Sequence, residues 1–320
     1  MKTSLKRNIA VIGCGYWGKN LIRTAEELGC LATVVDKNLD LQKEINNNFN
    51  LPNIGFESVL ADNKIEGIII ATTADTHFEI GEKCLKNGKH VFIEKPICLS
   101  IDDAEKLNAL SLKFNQKLMT GHLLQNHDHF IALKKKIKSQ ELGKICKVKS
   151  VRKSLGIIRD YEDVIWSFSP HDLSMIFSLF ENKEFCNVEI KRQKYFSSNT
   201  DKASIFFEID GVQAEIEVDW TSVEKEQKIE VYCENGIIVF NDANKDINKK
   251  LYLISENFSL ENLKTKTSPE INFLTVSSDG NPLKNECKAF LDAIKTNKNP
   301  VTDYCESSHV LRFLIEAERL

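Results

Sequence analysis

The sequence carries little that would tie it to a membrane, a nucleic acid or an oxidising compartment. It has no run of 18 apolar residues, so no membrane-spanning helix is expected. It has no excess of positive charge. Lys and Arg number 43 against 46 Asp and Glu, and the net charge of −3 leaves no basic footprint for nucleic acid. Cysteine is present without pattern: Cys14, Cys30, Cys84, Cys98, Cys146, Cys186, Cys233, Cys287 and Cys305 are odd in number, scattered, and never spaced C-x-x-C. That argues against a disulfide framework and against a zinc site, so no metal is expected. It points to reduced thiols and a cytoplasmic location. There is no internal repeat and no low-complexity tract. The start, MKTSLKRNIAVIG, is basic and then apolar, as a secretion signal would be. Its apolar run is too short, however, and leads straight into a glycine pattern, so a first strand is the better reading.

What is present is the composition of a globular protein, 42% apolar and 28% charged. A length of 320 residues suggests two domains. Up to residue 121 the pattern alternates. Strands are predicted at 8–12, 31–36, 67–71, 90–94 and 117–121, and helices at 18–28, 40–49, 76–87 and 100–114. Continuous apolar strands between helices imply a parallel sheet covered on both faces. From residue 122 the pattern changes. Helices are predicted at 128–139 and 171–181, a strand at 144–154, and several strands between 186 and 240. Asp210-Gly211 and Asn235-Gly236 are hairpin signals within that last stretch. Residues 241–281 read as loops with at most one edge strand, and 282–297 and 304–320 as two final helices. The fold class is therefore α/β. An N-terminal Rossmann dinucleotide-binding domain (1–121) is followed by an α+β domain (122–320) with a large, mostly antiparallel open sheet. The terminal helices are free to pack back on the first domain. An open sheet must manage its edges, so a homo-oligomer, dimer or tetramer, is expected.

Four motifs carry chemistry. Gly13-Cys14-Gly15-Tyr16-Trp17-Gly18 follows the first strand and opens the first helix. The first glycine allows a tight turn, the second lets backbone approach a pyrophosphate, and the third lets the helix pack on the strand. The helix N-terminus then presents free N–H groups to phosphate. Asp36 ends the second strand at the spacing of a residue that bonds the adenosine ribose hydroxyls. It favours NAD over NADP, because a 2′-phosphate would meet like charge; Lys37 next to it softens that objection. Thr72, Thr73 and His77, after the third strand, lie where cofactors bind in open α/β sheets. Spacing alone leaves His77 open between a packing histidine and a cofactor contact. Glu94-Lys95-Pro96 ends the fourth strand. A lysine amine beside a nicotinamide ring is able to stabilise an alkoxide or transfer a proton, although spacing alone equally allows a plain surface lysine. Finally, His171 lies in the segment Trp166–Asp172 at the start of a predicted helix, where a structural role is the simpler reading.

Taken in order, IAVIGCGYWGKN, ATTADTH, FIEKP, TGHLLQN and PHDLSM resemble the Gfo/Idh/MocA family of oxidoreductases over nearly the whole chain. The resemblance implies an N-terminal domain that binds NAD(P) and a second domain that covers the nicotinamide. It makes Lys95 catalytic together with His171. The family places an aspartate four residues before that histidine; here the position is Ser167, which removes a carboxylate that would orient the ring. GCGYWGKN and W-x-x-x-P-H-D further resemble the branch acting on nucleotide-linked sugars. That implies oxidation of a sugar hydroxyl to a ketone, at C3 of a UDP-linked N-acetylhexosamine or its uronate, ahead of 3-amino-sugar synthesis for surface polysaccharide or lipid A. Arg152, Arg159, Ser167, His171 and Asp172 are the candidate substrate contacts beside Lys95. The arginines suit a diphosphate, or are merely surface arginines. The alternatives are a dehydrogenase of a free polyol such as an inositol, and an NAD-binding protein with impaired catalysis.

Overall fold

The computed structural model describes residues 7–160, 162–254, 270–278 and 280–320. The chain divides into two compact units, residues 1–123 with 282–312, and residues 124–281 with 313–320.

In the first unit β1 (Ile9–Ile12), β2 (Leu31–Val35), β3 (Gly67–Ile70), β4 (His90–Glu94) and β5 (Leu118–Gly121) form an all-parallel sheet in the order β2-β1-β3-β4-β5. Its strands are almost wholly buried, as a sheet covered on both faces requires. The intervening helices are α1 (Gly18–Glu27), α2 (Leu39–Asn48), α3 (Phe56–Ala61), α4 (His77–Lys86) and α5 (Ile101–Lys113). Two have side-chain caps: Asn38 Oδ1 accepts the Leu41 N–H at 3.1 Å, and Ser100 Oγ accepts the Asp103 N–H at 3.2 Å. The sequence pattern does not predict α3, whose six residues are too few to show a period. Order reverses at β1, which has β2 on one side and β3 on the other. Open α/β sheets bind ligands outside the strand C-termini at such a point.

Two further helices come from the end of the chain, α8 (Pro282–Thr296) and α9 (Tyr304–Arg319). Helix α8 belongs to the first unit. Its Cys287 and Phe290 enter the core with Leu21, Ile22, Ile69, Phe92 and Met119. The Phe290 ring meets Phe92 edge-on at 5.8 Å. Burial of one such ring is worth about 1.5–3 kcal/mol.

The second unit is built on an eight-stranded sheet. Helix α6 (Asp128–Lys138) precedes β6 (Ile145–Lys153), and α7 (Val164–Phe177) follows it. Then come β7 (Phe185–Gln193), β8 (Lys202–Ile209), β9 (Val212–Asp219), β10 (Glu226–Cys233), β11 (Gly236–Asn241), β12 (Leu251–Ile254) and β13 (Ile271–Phe273). The order is β13-β12-β11-β10-β6-β9-β8-β7, antiparallel throughout except for the β6–β9 pair. Strand β8 alternates buried and half-buried residues, the signature of a sheet with one covered face. Asp210 (φ 51°) and Gly211 (φ 75°) form the predicted tight hairpin. In the β10–β11 hairpin Cys233 pairs with Gly236, so Glu234 and Asn235 make the loop and Gly236, at φ 145°, opens the strand. Phe177, Phe185, Phe207 and Phe313 pack as one aromatic cluster, with Phe207 and Phe313 at 4.7 Å.

One predicted boundary is corrected. Helix α7 begins at Val164, not at 171, so His171 stands inside it rather than at its start. Asp163 caps it, Oδ1 accepting the N–H groups of Ile165 and Trp166. Pro170 lies within the helix and removes only one main-chain bond, while Ser169 Oγ donates to the Ile165 carbonyl at 2.6 Å. In the 241–281 stretch β12 and β13 are strands, and residues 255–269 and 279 lie outside the described residues. Among the described residues no helix is long and apolar enough to cross a membrane.

Candidate active site

The glycine loop shows why each glycine is required. Gly13 adopts φ 100°, and a Cβ there would lie 2.6 Å from the Ala71 carbonyl oxygen. A Cβ on Gly18 would lie 2.1 Å from the Gly13 carbonyl oxygen, so α1 sits directly against the loop. A Cβ on Gly15 would meet nothing within 4 Å. Gly15 is thus free of internal packing and leaves the N-terminal face of α1 open to a pyrophosphate. The residues present fit a dinucleotide.

Asp36 ties this loop to the next turn. Its Oδ2 accepts the Cys14 N–H at 2.6 Å and its Oδ1 the Asn38 N–H at 2.8 Å. Lys37 beside it is exposed. The Cys14 thiol is buried and pushed up to about 12, by burial first and then by the Asp36 charge, so it is no nucleophile. Tyr16 is exposed, and Trp17 donates its Nε1–H to Glu94 Oε1 at 2.7 Å.

Strand register lines up the other motifs. Ile12, Ile70 and Ile93 are partners across β1, β3 and β4, which sets Gly13, Ala71 and Glu94 abreast at the sheet's C-terminal edge. Thr72, half-buried, shares a 2.7 Å hydrogen bond with the Thr76 hydroxyl, and Thr73 is exposed. His77 is buried at 1% exposure, with Nδ1 at 2.8 Å from the Pro96 carbonyl and Nε2 at 3.2 Å from the Thr72 carbonyl. Burial, only partly opposed by those two carbonyls, lowers its pKa and favours the neutral ring. His77 clamps the Thr72 and Pro96 turns together.

Glu94 and Lys95 are half-buried, and the Lys95–Pro96 peptide is cis. The Lys95 N–H donates to Glu94 Oε2 at 3.3 Å. Gly121, opposite on β5, makes room for that carboxylate, since a Cβ there would lie 2.8 Å from Oε2. Burial pushes Glu94 up to about 7, against the opposing pull of the Trp17 bond and the Lys95 charge.

In the second unit, Ser167 and His171 are four residues apart on α7 and share a face. The Arg159 guanidinium donates to Ser167 Oγ at 3.1 Å and pairs with Glu162. The position that carries aspartate in the family thus holds a hydroxyl bonded to an arginine. Arg152 and Asp172 form a buried ion pair. Arg152 grips Asp172 with Nε at 2.7 Å and Nη2 at 3.2 Å, joined by Ser150 Oγ at 2.6 Å. Together they fasten α7 to β6. Asp163 is the cap of α7, so neither aspartate replaces the missing one.

Sequence reasoning missed Glu286, a fully buried acid on α8 whose two oxygens have no hydrogen-bond partner. Its signal was present: it shares the i, i+4, i+7 stripe with Phe290 and Ala293, where an apolar residue belongs. Among the described residues no cluster of His, Cys, Asp and Glu is arranged to hold a metal ion.

A glycine cradle at the switch point of a parallel sheet is the architecture of a dinucleotide-binding domain. Residues 7–122 match the model of the Gfo/Idh/MocA oxidoreductase family, described as its NAD-binding Rossmann fold. It is 28% identical over 162 residues to the oxidoreductase YhhX of Escherichia coli, a match covering 47% of this chain and 46% of that protein. It is 28% identical over 120 residues to UDP-N-acetylglucosamine 3-dehydrogenase of Acidithiobacillus ferrooxidans, covering 37% of each. It is 28% identical over 86 residues to myo-inositol 2-dehydrogenase of Thermotoga maritima, covering 27% of this chain and 26% of that protein. The chain thus matches less than half the length of these curated relatives. Over the whole fold, the solved structure of the Acidithiobacillus ferrooxidans 3-dehydrogenase GnnA superposes with a TM-score of 0.83 at 20% identity, covering 97% of this chain and 96% of that one.

Proposed function

We propose that this protein oxidises a secondary hydroxyl of a nucleotide-linked sugar to a ketone, with NAD as the oxidant. The observation that carries the reading is the alignment of Gly13, Ala71 and Glu94 on one sheet edge, which brings the glycine cradle and the Glu94-Lys95 corner into the same site. Gly13, Gly15, Gly18 and the N-terminus of α1 would hold the pyrophosphate, and Asp36 the adenosine ribose. Asp36 repels a 2′-phosphate, which supports NAD over NADP. NAD bound there supplies a hydride acceptor.

Lys95 takes the proton of the sugar hydroxyl, with its backbone N–H fixed by Glu94. Trp17 closes one side of this corner through its bond to Glu94. His171, in the second unit, is the other residue we assign to proton handling, and Ser167 and Arg159 support it on the same helix and the preceding loop. The similarity to a UDP-N-acetylglucosamine 3-dehydrogenase supports C3 of a UDP-linked N-acetylhexosamine, or its uronate, as the position oxidised.

The test is NADH formation on a substrate panel, with a 3-aminotransferase present to draw off product. UDP-linked N-acetylhexosamines and their uronates should support turnover, and Lys95→Ala should lower it by about 10²–10⁴-fold. Turnover on free inositols alone would move the assignment to a polyol dehydrogenase. NAD binding without turnover on any sugar would leave a cofactor-binding protein.

A further inference from the structure

Glu286, in the first unit, is a buried acid that the proposed chemistry does not use and that ordinary packing does not explain. It is 0% exposed, and neither carboxyl oxygen has a hydrogen-bond partner. An ionised carboxylate in that setting costs several kcal/mol, so the group stays neutral.

Its place in the fold is fixed by two periodicities. On β4, Phe92 and Glu94 are two residues apart and point to the same face, about 6.6 Å from each other along the strand. On α8, Glu286 and Phe290 are four residues apart and share a face, about 6 Å from each other along the axis. Phe290 packs edge-on against Phe92 at 5.8 Å. The matched spans bring Glu286 to the level of Glu94.

We propose that Glu286 is a positioning residue for the Glu94–Lys95 corner: it stands behind Glu94 as a neutral acid, so the pair carries a single negative charge, and that charge stays on Glu94. Glu94 keeps it because both nearby donors, the Trp17 indole N–H at 2.7 Å and the Lys95 N–H at 3.3 Å, serve Glu94 and none serves Glu286. The other titratable groups around the pair are few. Lys95 adjoins Glu94. His122, after β5, faces Glu94 and is itself paired through Nδ1 with Glu306 of α9 at 2.6 Å. Cys287 is next to Glu286 on α8. Helix α1 brings Leu21 and Ile22 to this core. Burial, reinforced by the Glu94 charge, holds Glu286 protonated well past the ordinary carboxylate range. Ionising Glu286 would set two like charges face to face and drive Glu94 off Trp17 and Lys95. The site therefore has an alkaline limit set by Glu286. This rests on the reading of the Glu94–Lys95 corner as part of the active site.

The experiment compares the wild-type chain, Glu286→Gln and Glu94→Gln. Infrared difference spectra follow the protonated-carboxyl C=O band, and calorimetry follows NAD binding, from about pH 8, where Glu94 is ionised, to about pH 10. In the wild type the band should persist above neutrality and NAD affinity should fall about tenfold across the window. Glu286→Gln should lack the band and keep its affinity nearly flat. Glu94→Gln should lose the band at lower pH than the wild type, since the opposing charge is gone. Absence of the band in the wild type, its survival in Glu286→Gln, or superimposable alkaline profiles of wild type and Glu286→Gln would each overturn the proposal. The wild-type and Glu94→Gln spectra decide the matter even if Glu286→Gln does not fold. None of these readouts needs a sugar, so failure of the substrate assignment is separately visible.

Discussion

Gly15 and Gly18 of the nucleotide loop should fail in opposite ways. In Gly18→Ala the new methyl would sit 2.1 Å from the Gly13 carbonyl oxygen, more than an ångström inside ordinary contact at 3.4 Å. That oxygen is backbone and cannot swing aside. Overpacking of this kind costs typically 1–3 kcal/mol, and a rigid obstacle belongs at the top of the range. Alanine regains about 1 kcal/mol of helix propensity, so the net loss is about 2 kcal/mol. For a unit of this size that lowers Tm by roughly 4–8 °C. In Gly15→Ala the methyl meets nothing within 4 Å, so Tm should move by less than about 1 °C. The same methyl would stand where the pyrophosphate approaches the N–H groups of α1, and losing charge-assisted bonds there costs about 1.5–3 kcal/mol, or about 10–100-fold in NAD affinity. Differential scanning calorimetry and NAD titration separate the two outcomes. The reasoning fails if Gly15→Ala binds NAD like the wild type, or if Gly18→Ala melts unchanged.

Other residues give further tests. Asp36→Asn should raise the NADP-to-NAD preference at least about tenfold by removing the charge that opposes a 2′-phosphate, measured as the ratio of the two Kd values. Ser167→Asp would put a carboxylate one turn before His171 and beside Arg159; the limb of the pH–rate profile that belongs to His171 should rise by about one unit, because a nearby negative charge favours the imidazolium. Asp201 accepts the N–H groups of Tyr195, Phe196 and Ser197 and the indole N–H of Trp220. Those bonds outweigh its burial and hold its folded pKa below the ordinary carboxylate value. It stabilises the fold above that ordinary value and loses the contribution as pH falls through it. Asp201→Asn should cost on the order of 3 kcal/mol in urea unfolding at neutral pH and flatten the acid limb of stability.

The parallel sheet and its loop were legible because each strand is short, apolar and closed by a turn signal, and the glycines stand at fixed offsets. Helix α7 was misplaced because Pro170 was taken as a start signal, when Asp163 followed by Val164 and Ile165 was already a cap before an apolar run. Arg152 was proposed as a diphosphate contact because arginine suits that geometry. Its pairing with Asp172 needs α7 laid on β6, a tertiary fact that spacing does not carry. The parallel β6–β9 pair is equally non-local, since a helix and two strands intervene. Spacing left His77 open between two readings, and the two carbonyls that flank its ring come from turns that spacing does not bring together.

The first unit is written in two pieces of sequence, residues 1–123 and 282–312. Phe290, which completes the hydrophobic layer under Phe92, is therefore synthesised almost 200 residues after it. The amino-terminal segment leaves the ribosome with that layer uncovered and must wait for the chain to return. Closing so long an excursion adds little entropy beyond that of a shorter loop, so the delay is one of time rather than of equilibrium. During it the nascent nucleotide fold exposes apolar surface, the condition under which newly made chains depend on chaperones.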